Sequence, residues 1–468
     1  MIASNKKINV EKHTVHAWFV PLILMVGIVL VMIKGWPIYV GIVIGYVGAM
    51  LYALAVGSTW REVHRASMIG MQNMWRVCVV LLLVGVVIAL WMVDGTIPTL
   101  TAIGSDFIRP SNVIWIAFLM SAVLSMVIGS SLATWGILGP PMLALTPPHL
   151  LPVVAGALVS GGMVGDRSSP MSTSVIIMSK AADLSPSVTL RQLLRTAILP
   201  VALTLLTFSI YSMGHATYTH MPVLHHVHLT QVTFLLIVPP ILVIILAALR
   251  IPLLYNLIVA VVIGSIYATK VPHESVQLLA SQLWRGYPLV ILKKQFYVGG
   301  LQEMVQASLL IFTAGAFQGV TALGGAIELL IERLFARVHK ASGMVVIAYG
   351  ISIAFAMLMG SQSLATLMSG NTLLPQFARR NIDRRSVLRV IGDSSELVSA
   401  IVPWNLLGLQ AGAILGISTL QFVPYAYFIY FALIGSIVMT WRAMREQFVL
   451  PSDLEMHKTW RVAGERTE

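Results

Sequence analysis

The sequence predicts an all-α polytopic membrane protein built from two inverted repeats. Three observations support this prediction: an apolar composition, a series of long apolar runs, and polar breaks that recur in the same order. Hydrophobic residues make up 57% of the 468 residues and charged residues only 10%, whereas a soluble domain carries about 25% charged residues. The mean hydropathy is +0.86. Most of the chain must therefore be surrounded by lipid or by other membrane helices.

The apolar runs suffice for about 12 spans, because a helix crosses the hydrocarbon core in about 20 residues. They lie at 17–34, 37–57, 76–94, 112–129, 151–180, 194–213, 230–249, 251–269, 305–323, 342–360, 388–416 and 424–441. Two shorter segments, 130–146 and 361–377, are rich in Gly, Ser, Thr and Pro. We expect both to be broken or re-entrant, hairpin-like segments, because irregular backbone at membrane depth requires surrounding protein or a cavity.

The two halves share three features in the same order. They are a Gly-Ser segment ending in Ser-Leu-Ala-Thr, a Gly-Asp pair that begins a polar cluster, and a one-turn break between spans. These lie at 129–134 and 360–366, at 165–166 and 392–393, and at 34–37 and 249–252. We therefore predict an N-terminal repeat, an outer linker, a C-terminal repeat and a cytoplasmic tail, with bounds 1–213, 214–229, 230–445 and 446–468.

Basic residues predict the orientation. The net charge is +12, and most Lys and Arg flank apolar runs, so we expect a membrane lipid surface as a partner and no nucleic acid. The densest basic segment, 379–389, lies inside only if 130–146 and 361–377 both change sides. Each half then crosses an odd number of times, which makes the repeats inverted, a common plan of secondary transporters. We expect a multi-pass protein of the bacterial inner membrane with both termini cytoplasmic.

Asp166 begins the first polar break, inside an otherwise apolar stretch. A charged residue at this depth costs at least about 2.5 kcal/mol, so it requires a partner or a function. Hydroxyl groups and Arg167 follow it directly, at Ser169, Ser172 and Thr173 among others. Asp166 can hold a hard monovalent cation or a proton but not both at full strength, which is the minimum chemistry of an exchanger. The alternative is an Asp166–Arg167 pair that merely holds a kink.

The second polar break contains Asp393 and Glu396. Their spacing places them on one face of a helix, and two close carboxylates in a low dielectric resist joint ionisation, which suits a proton carrier. Pro403 breaks the helix and Asn405 offers an amide oxygen at the break. The alternative for Asp393 is a helix cap at the cytoplasmic surface.

Further side chains are expected to line the same cavity: Ser130, Ser131, Thr134, Ser361, Gln362, Ser363, Thr366 and Trp404, with Arg167, Ser169 and Pro403. The alternative for the hydroxyl residues is close helix packing through small side chains.

Several of these segments resemble those of one family. Residues 165–172, Gly-Asp-Arg-Ser-Ser-Pro-Met-Ser, resemble the G-D-K-x-S-P-L-S signature of NhaC-type sodium/proton antiporters. Residues 402–405, Val-Pro-Trp-Asn, resemble the I-P-W-N motif of that family, and 85–98 and 129–136 are also similar. The resemblance implies an antiporter rather than an enzyme, with transported Na⁺ and H⁺ and no cofactor. It carries over Asp166, Asp393, Pro403, Trp404 and Asn405, with Asp166 and Asn405 as expected Na⁺ ligands.

Two departures from the family pattern put the cargo in question. Thr173 stands where the family usually has Asp, and Glu396 is an additional carboxylate in the second half. An ion-coupled transporter of organic acids such as malate or lactate, or of amino acids, is therefore an alternative, in which Arg167 holds a substrate carboxylate. A channel or a membrane-embedded enzyme is a third reading. The sequence leaves the oligomeric state open, a homodimer included.

Overall fold

The computed structural model describes residues 38–105, 107–109, 111–214, 236–249, 251–268, 276–291, 294–323 and 341–447, with a few single positions between 23 and 36. Most of the first expected span, nearly all of the linker and almost the whole tail lie outside the described residues.

The described part is helical apart from one two-stranded ribbon. In the first half the helices are α1 (Ile38–Ala55), α2 (Trp60–Val93), α3 (Thr96–Ser105), α4 (Val113–Ile128), α5 (Ser131–Ala144), α6 (Leu151–Ser168), α7 (Thr173–Ala181) and α8 (Pro186–Gly214). The second half begins with α9 (Val238–Ala248), α10 (Leu253–Ala268), α11 (Val276–Arg285), β1 (Tyr287–Ile291), β2 (Lys294–Val298) and α12 (Leu301–Leu323). It continues with α13 (Ala341–Leu358), α14 (Gln362–Ala378), α15 (Arg384–Asp393), α16 (Ser395–Val398), α17 (Leu406–Leu415), α18 (Thr419–Phe422) and α19 (Tyr427–Gln447).

Several of these helices are long and apolar enough to cross a membrane. Among the described residues there are 5, or up to 6 if the bent pair Leu406–Leu415 and Thr419–Tyr425 counts as one span. Four more apolar helices are shorter, at 10–17 residues. The protein is therefore a multi-pass membrane protein, and the expected runs 151–180 and 388–416 are each divided by a break within the described chain.

The expected hairpin-like segments are instead single helices. α5 has 14 residues and contains Pro140 and Pro141, and α14 has 17 residues and contains Pro375. The break lies before each helix, where Gly129 (φ 76°) and Gly360 (φ 59°) adopt the left-handed conformation, which only glycine enters without cost. Ser130 and Ser361 follow in extended backbone at the N-cap positions of the next helices, and the Ser130 hydroxyl accepts a hydrogen bond from the Ala133 N–H. The shared sequence thus produces the same local geometry in both halves.

Each polar break is attached to the helix before its left-handed glycine. In the first half the Ser169 hydroxyl donates to the Met126 carbonyl (2.6 Å). In the second half the Trp404 indole N–H donates to the Met357 carbonyl (2.7 Å). Both carbonyls lie three residues before the glycine, at Gly129 and Gly360. The two halves therefore share an equivalent local contact.

Close glycine contacts join α2 of the first half to α12 of the second. A Cβ atom on Gly70 would lie 2.1 Å from the Gly315 carbonyl oxygen, and one on Gly319 would lie 2.1 Å from the Ala66 carbonyl oxygen. The Gly300 N–H also donates to the Gly85 carbonyl (2.9 Å). Only residues without a side chain permit two backbones to approach so closely in a membrane.

The ribbon β1–β2 was not predicted from the sequence. Its strands pair antiparallel, with Tyr287 opposite Val298 and Ile291 opposite Lys294. Five-residue strands carry too little periodicity to distinguish them from a short piece of apolar helix. The ribbon and α11 occupy most of segment 270–304.

The glycine contact between α2 and α12 leads to a stability prediction. Gly70→Ala should lower the free energy of unfolding by about 1–3 kcal/mol, because an added methyl group overpacks a full interface. Gly350→Ala on α13 is the matched control, since a Cβ there meets nothing within 4 Å. Thermal unfolding of both purified variants in detergent measures the difference, and equal midpoints would contradict the assigned packing.

Candidate functional site

The Asp166 carboxylate is buried at the end of α6, where two hydroxyl groups bind it. The Ser172 hydroxyl donates to Oδ1 (2.8 Å), and the Ser131 hydroxyl donates to Oδ2 (3.0 Å). Ser131 is the first residue of α5, and Ser172 caps α7 by accepting from the Ser174 N–H. The helix breaks on either side of Asp166 therefore supply its partners.

Glu396 occupies the corresponding position in the second half. The Gln362 amide N–H₂ donates to Oε1 (2.5 Å), and the Thr366 hydroxyl donates to Oε2 (2.7 Å). Gln362 is the first residue of α14, so it stands where Ser131 stands in α5. In each half the first residue after the serine cap thus binds a buried carboxylate.

The two carboxylates lie close enough to interact electrostatically. The side chain of Ser174 lies next to both Asp166 and Glu396. Both carboxylates are buried, at 6% and 1% exposure, and the hydrogen bonds described above come from neutral donors. Two such anions in a low dielectric repel each other unless a proton or a cation compensates them. The arrangement can therefore bind and release a small cation or protons.

Arg167 does not join this pair of carboxylates but binds Asp393. Its Nη2 lies 2.6 Å from Asp393 Oδ1, and both side chains are fully buried. The guanidinium also donates to the Leu193 carbonyl (2.9 Å) and to the Thr196 hydroxyl (2.8 Å) on α8. An ion pair between Asp166 and Arg167 is thus not formed, because neighbours on a helix point in different directions.

The second break also differs from the expected geometry. Asp393 is buried as the last residue of α15, so it is not a cap at the surface. Ser394 leaves the helical conformation (φ −118°, ψ −83°), which separates Asp393 from Glu396. Each carboxylate therefore faces its own partner, and the expected shared helix face is absent.

The family model described as "Na+/H+ antiporter family" matches residues 10–214 and 288–443. The chain belongs to this family. It is 26% identical over 402 residues to the Na(+)/H(+) antiporter NhaC of Bacillus subtilis, covering 83% of this chain and 88% of that one. It is 27% identical over 382 residues to the NhaC of Alkalihalophilus pseudofirmus, covering 79% and 83%. It is also 23% identical over 441 residues to the malate-2H(+)/Na(+)-lactate antiporter of Bacillus subtilis, covering 88% and 92%.

These matches confirm the NhaC-type resemblance read from residues 165–172 and 402–405. The protein is accordingly a transporter, and cation and proton transport are the chemistry that the family supports.

The residues of the second family motif have structural contacts in this antiporter. The Asn405 side-chain oxygen accepts from the Leu407 N–H (3.1 Å) and caps α17, while its amide N–H₂ donates to the Ala356 carbonyl (2.7 Å). Trp404 holds the end of α13 as described, and Pro403 is buried between Val402 and Trp404. In the described contacts Asn405 touches neither carboxylate, so its expected part as a Na⁺ ligand finds no geometric support.

The remaining residues predicted to bind the ion or to line the cavity differ in burial and in their contacts. Ser131, Thr366 and Ser172 bind the carboxylates, whereas Thr173 and Ser363 are exposed. The Thr134 hydroxyl donates to the Ser130 carbonyl (2.9 Å) in the preceding turn, and Ser169 binds Met126. These two hydroxyls stabilise local structure.

Gln362 was expected to line the cavity, and it binds Glu396. Ser174 was part of the first polar break, with no role of its own assigned. Matching the identical letters Ser-Leu-Ala-Thr in the two halves aligns Ser131 with Ser363. The helix caps align Ser131 with Gln362 instead, one residue earlier. The capping serine after each Gly was the signal that would have given the correct register.

Two hydroxyl residues on α14, Thr366 and Ser363, provide a test of which hydroxyl groups contribute to cation binding. Thr366→Val removes a hydrogen bond to Glu396, which is worth about 1 kcal/mol, so apparent cation affinity should fall about fivefold. Ser363→Ala alters an exposed hydroxyl three residues away and should leave affinity unchanged. Cation-dependent proton exchange in everted vesicles measures both variants. Equal effects of the two substitutions would contradict the assignment.

Proposed function

We propose that this protein is a secondary antiporter that exchanges Na⁺ for protons across the bacterial inner membrane, with Asp166 and Glu396 as the groups that carry them. The observation behind the proposal is a pair of interacting buried carboxylates, one from each half, bound by neutral donors. Such a pair has a high affinity for positive charge, because none of these hydrogen-bond partners carries a positive charge that would neutralise it.

The exchange follows from competition for the same oxygens. A Na⁺ ion prefers oxygen ligands, which two carboxylates and the hydroxyls of Ser131, Ser172 and Thr366 offer. When protons bind the carboxylates, the electrostatic attraction for Na⁺ is lost and the ion leaves. When the carboxylates are exposed to high Na⁺ and low proton concentration, the reverse occurs. The two cargoes therefore exclude each other at the binding site.

Alternating access requires the site to open to each side in turn. The equivalent Gly-Ser breaks before α5 and α14 support two related halves, and the bias of basic residues supports an inverted arrangement with cytoplasmic termini. A rocking or elevator motion of one group of helices would then expose the carboxylates to either side. The glycine-packed α2–α12 pair crosses between the halves and provides a rigid frame for such a motion.

Transport of an organic acid is the second candidate function, favoured by the relative named as a malate-2H(+)/Na(+)-lactate antiporter. A carboxylate substrate requires a cationic group to receive it. Arg167, which was expected to take this part, is already bound by Asp393. This contact favours the inorganic cation as cargo.

Neutralising either carboxylate tests the proposal. Asp166→Asn and Glu396→Gln should each abolish Na⁺-dependent proton movement in everted vesicles, because each removes a charge that the cation needs. Asp183→Asn is the control, since Asp183 pairs with Arg384 at the exposed surface and its loss should leave exchange intact. Li⁺, K⁺, malate and lactate are tested in the same assay.

Full exchange by Asp166→Asn or Glu396→Gln would refute the assignment of that residue. Malate- or lactate-dependent proton movement in the absence of a Na⁺ response would instead support the organic-acid transporter.

A further inference from the structure

We propose that the ion pair between Arg167 and Asp393 is a positioning and charge-balancing element of the cation site. In this proposal Asp393 does not bind the transported ion. It neutralises Arg167, so that the guanidinium does not compete with Na⁺ for Asp166 and Glu396. The proposal rests on the function proposed above and goes beyond it, because it assigns opposite electrostatic consequences to the two members of the pair.

The position of the pair follows from the chain. Arg167 is the residue after Asp166 on α6, and Asp393 ends α15 three residues before Glu396. An ion pair between them therefore joins the polar breaks of the two halves directly beside the carboxylates. The Nη2–Oδ1 distance of 2.6 Å and the complete burial of both side chains make this a close contact without water screening.

Two further contacts fix Arg167 in this position. Its guanidinium donates to the Leu193 carbonyl and to the Thr196 hydroxyl, both on α8. The side chain is consequently held by three contacts, two from α8 and one from α15. This restraint keeps it directed at Asp393, although it lies next to Asp166 in sequence.

Few other charges face Asp393. Arg389 on the same helix donates to the Ser386 hydroxyl (2.7 Å), and it interacts with Asp393 only at longer range. From α13 and α19 the facing groups are the Tyr349 hydroxyl and Ser436, which bond to each other (2.6 Å). Arg167 is thus the close cationic partner of Asp393 among the described residues.

The charge of Arg167 also bears on the cation site itself, because Arg167 directly follows Asp166 on α6 and its partner Asp393 lies three residues before Glu396. Loss of Asp393 leaves that positive charge uncompensated, which weakens both proton and Na⁺ binding at the carboxylates. Loss of Arg167 leaves Asp393 as a third negative charge, which strengthens the binding of both. A purely structural pair would give losses of activity in the same direction for either variant.

Exchange measured over a pH series separates the two explanations. Asp393→Asn should raise the Na⁺ concentration for half-maximal exchange several-fold and move the pH profile to lower pH by about one unit. Arg167→Gln should move the profile about one unit to higher pH and lower the half-maximal Na⁺ concentration. The double variant Arg167→Gln with Asp393→Asn should return the profile close to that of the wild type.

Two variants keep the test valid if the single substitutions do not reach the membrane. Arg167→Lys retains the charge, and the double variant retains the balance, so both should keep the wild-type pH profile at a lower thermal stability. Shifts of the two single variants in the same direction would overturn the proposal. A displaced profile in Arg167→Lys and in the double variant would also overturn it.

Failure of the function proposed above is distinguishable from these outcomes. In that case Asp166→Asn and Glu396→Gln retain exchange, whatever the pH profiles of the Arg167 and Asp393 variants. If both carboxylate variants are inactive but the single variants of the pair do not shift in opposite directions, only the inference about the ion pair fails.

Discussion

The cost of burying charge at membrane depth governs the centre of this protein. Four ionisable groups meet there, three carboxylates and one guanidinium, and none of them is exposed beyond 6%. A lone ion in such surroundings costs several kcal/mol, and breaking a buried pair costs about 3–5 kcal/mol because the remaining charge is unpaired. Arg167 and Asp393 satisfy this constraint by binding each other. Asp166 and Glu396 are then left with neutral donors and with each other.

The broken helices make this distribution of charge possible. A continuous helix has no free backbone groups and would direct neighbouring side chains to different surfaces. The breaks after Ser168 and after Asp393 allow residues that are close in sequence to face different partners. The left-handed Gly129 and Gly360 lie two residues before the first residues of α5 and α14, Ser131 and Gln362. These first residues each bind a carboxylate.

The two halves share a plan, but their side chains differ. Two serine hydroxyls bind the carboxylate in the first half, and a glutamine amide and a threonine hydroxyl bind the one in the second. Both halves contain a Gly-Asp pair, but its Asp has a different partner in each half. Asp166 is one of the two carboxylates of the candidate site, whereas Asp393 forms the ion pair with Arg167. This difference in role between Asp166 and Asp393 explains how the chain can have Thr173 where the family usually has Asp. Glu396 supplies a carboxylate from the other half.

The sequence by itself determined the membrane class, most helix positions, the recurring breaks and the family. These depend on composition, apolar length and local motifs, which act over short distances along the chain. It also named Asp166, Ser172, Ser131, Thr366 and Glu396 as candidates, and the structure joins these hydroxyls to the two carboxylates by hydrogen bonds. Tertiary structure alone decided that Arg167 binds Asp393, that Asn405 caps a helix, and that Gln362 rather than Ser363 faces the site. Each of these depends on where a side chain points after a break and on which distant helix it meets, and neither follows from spacing along one segment.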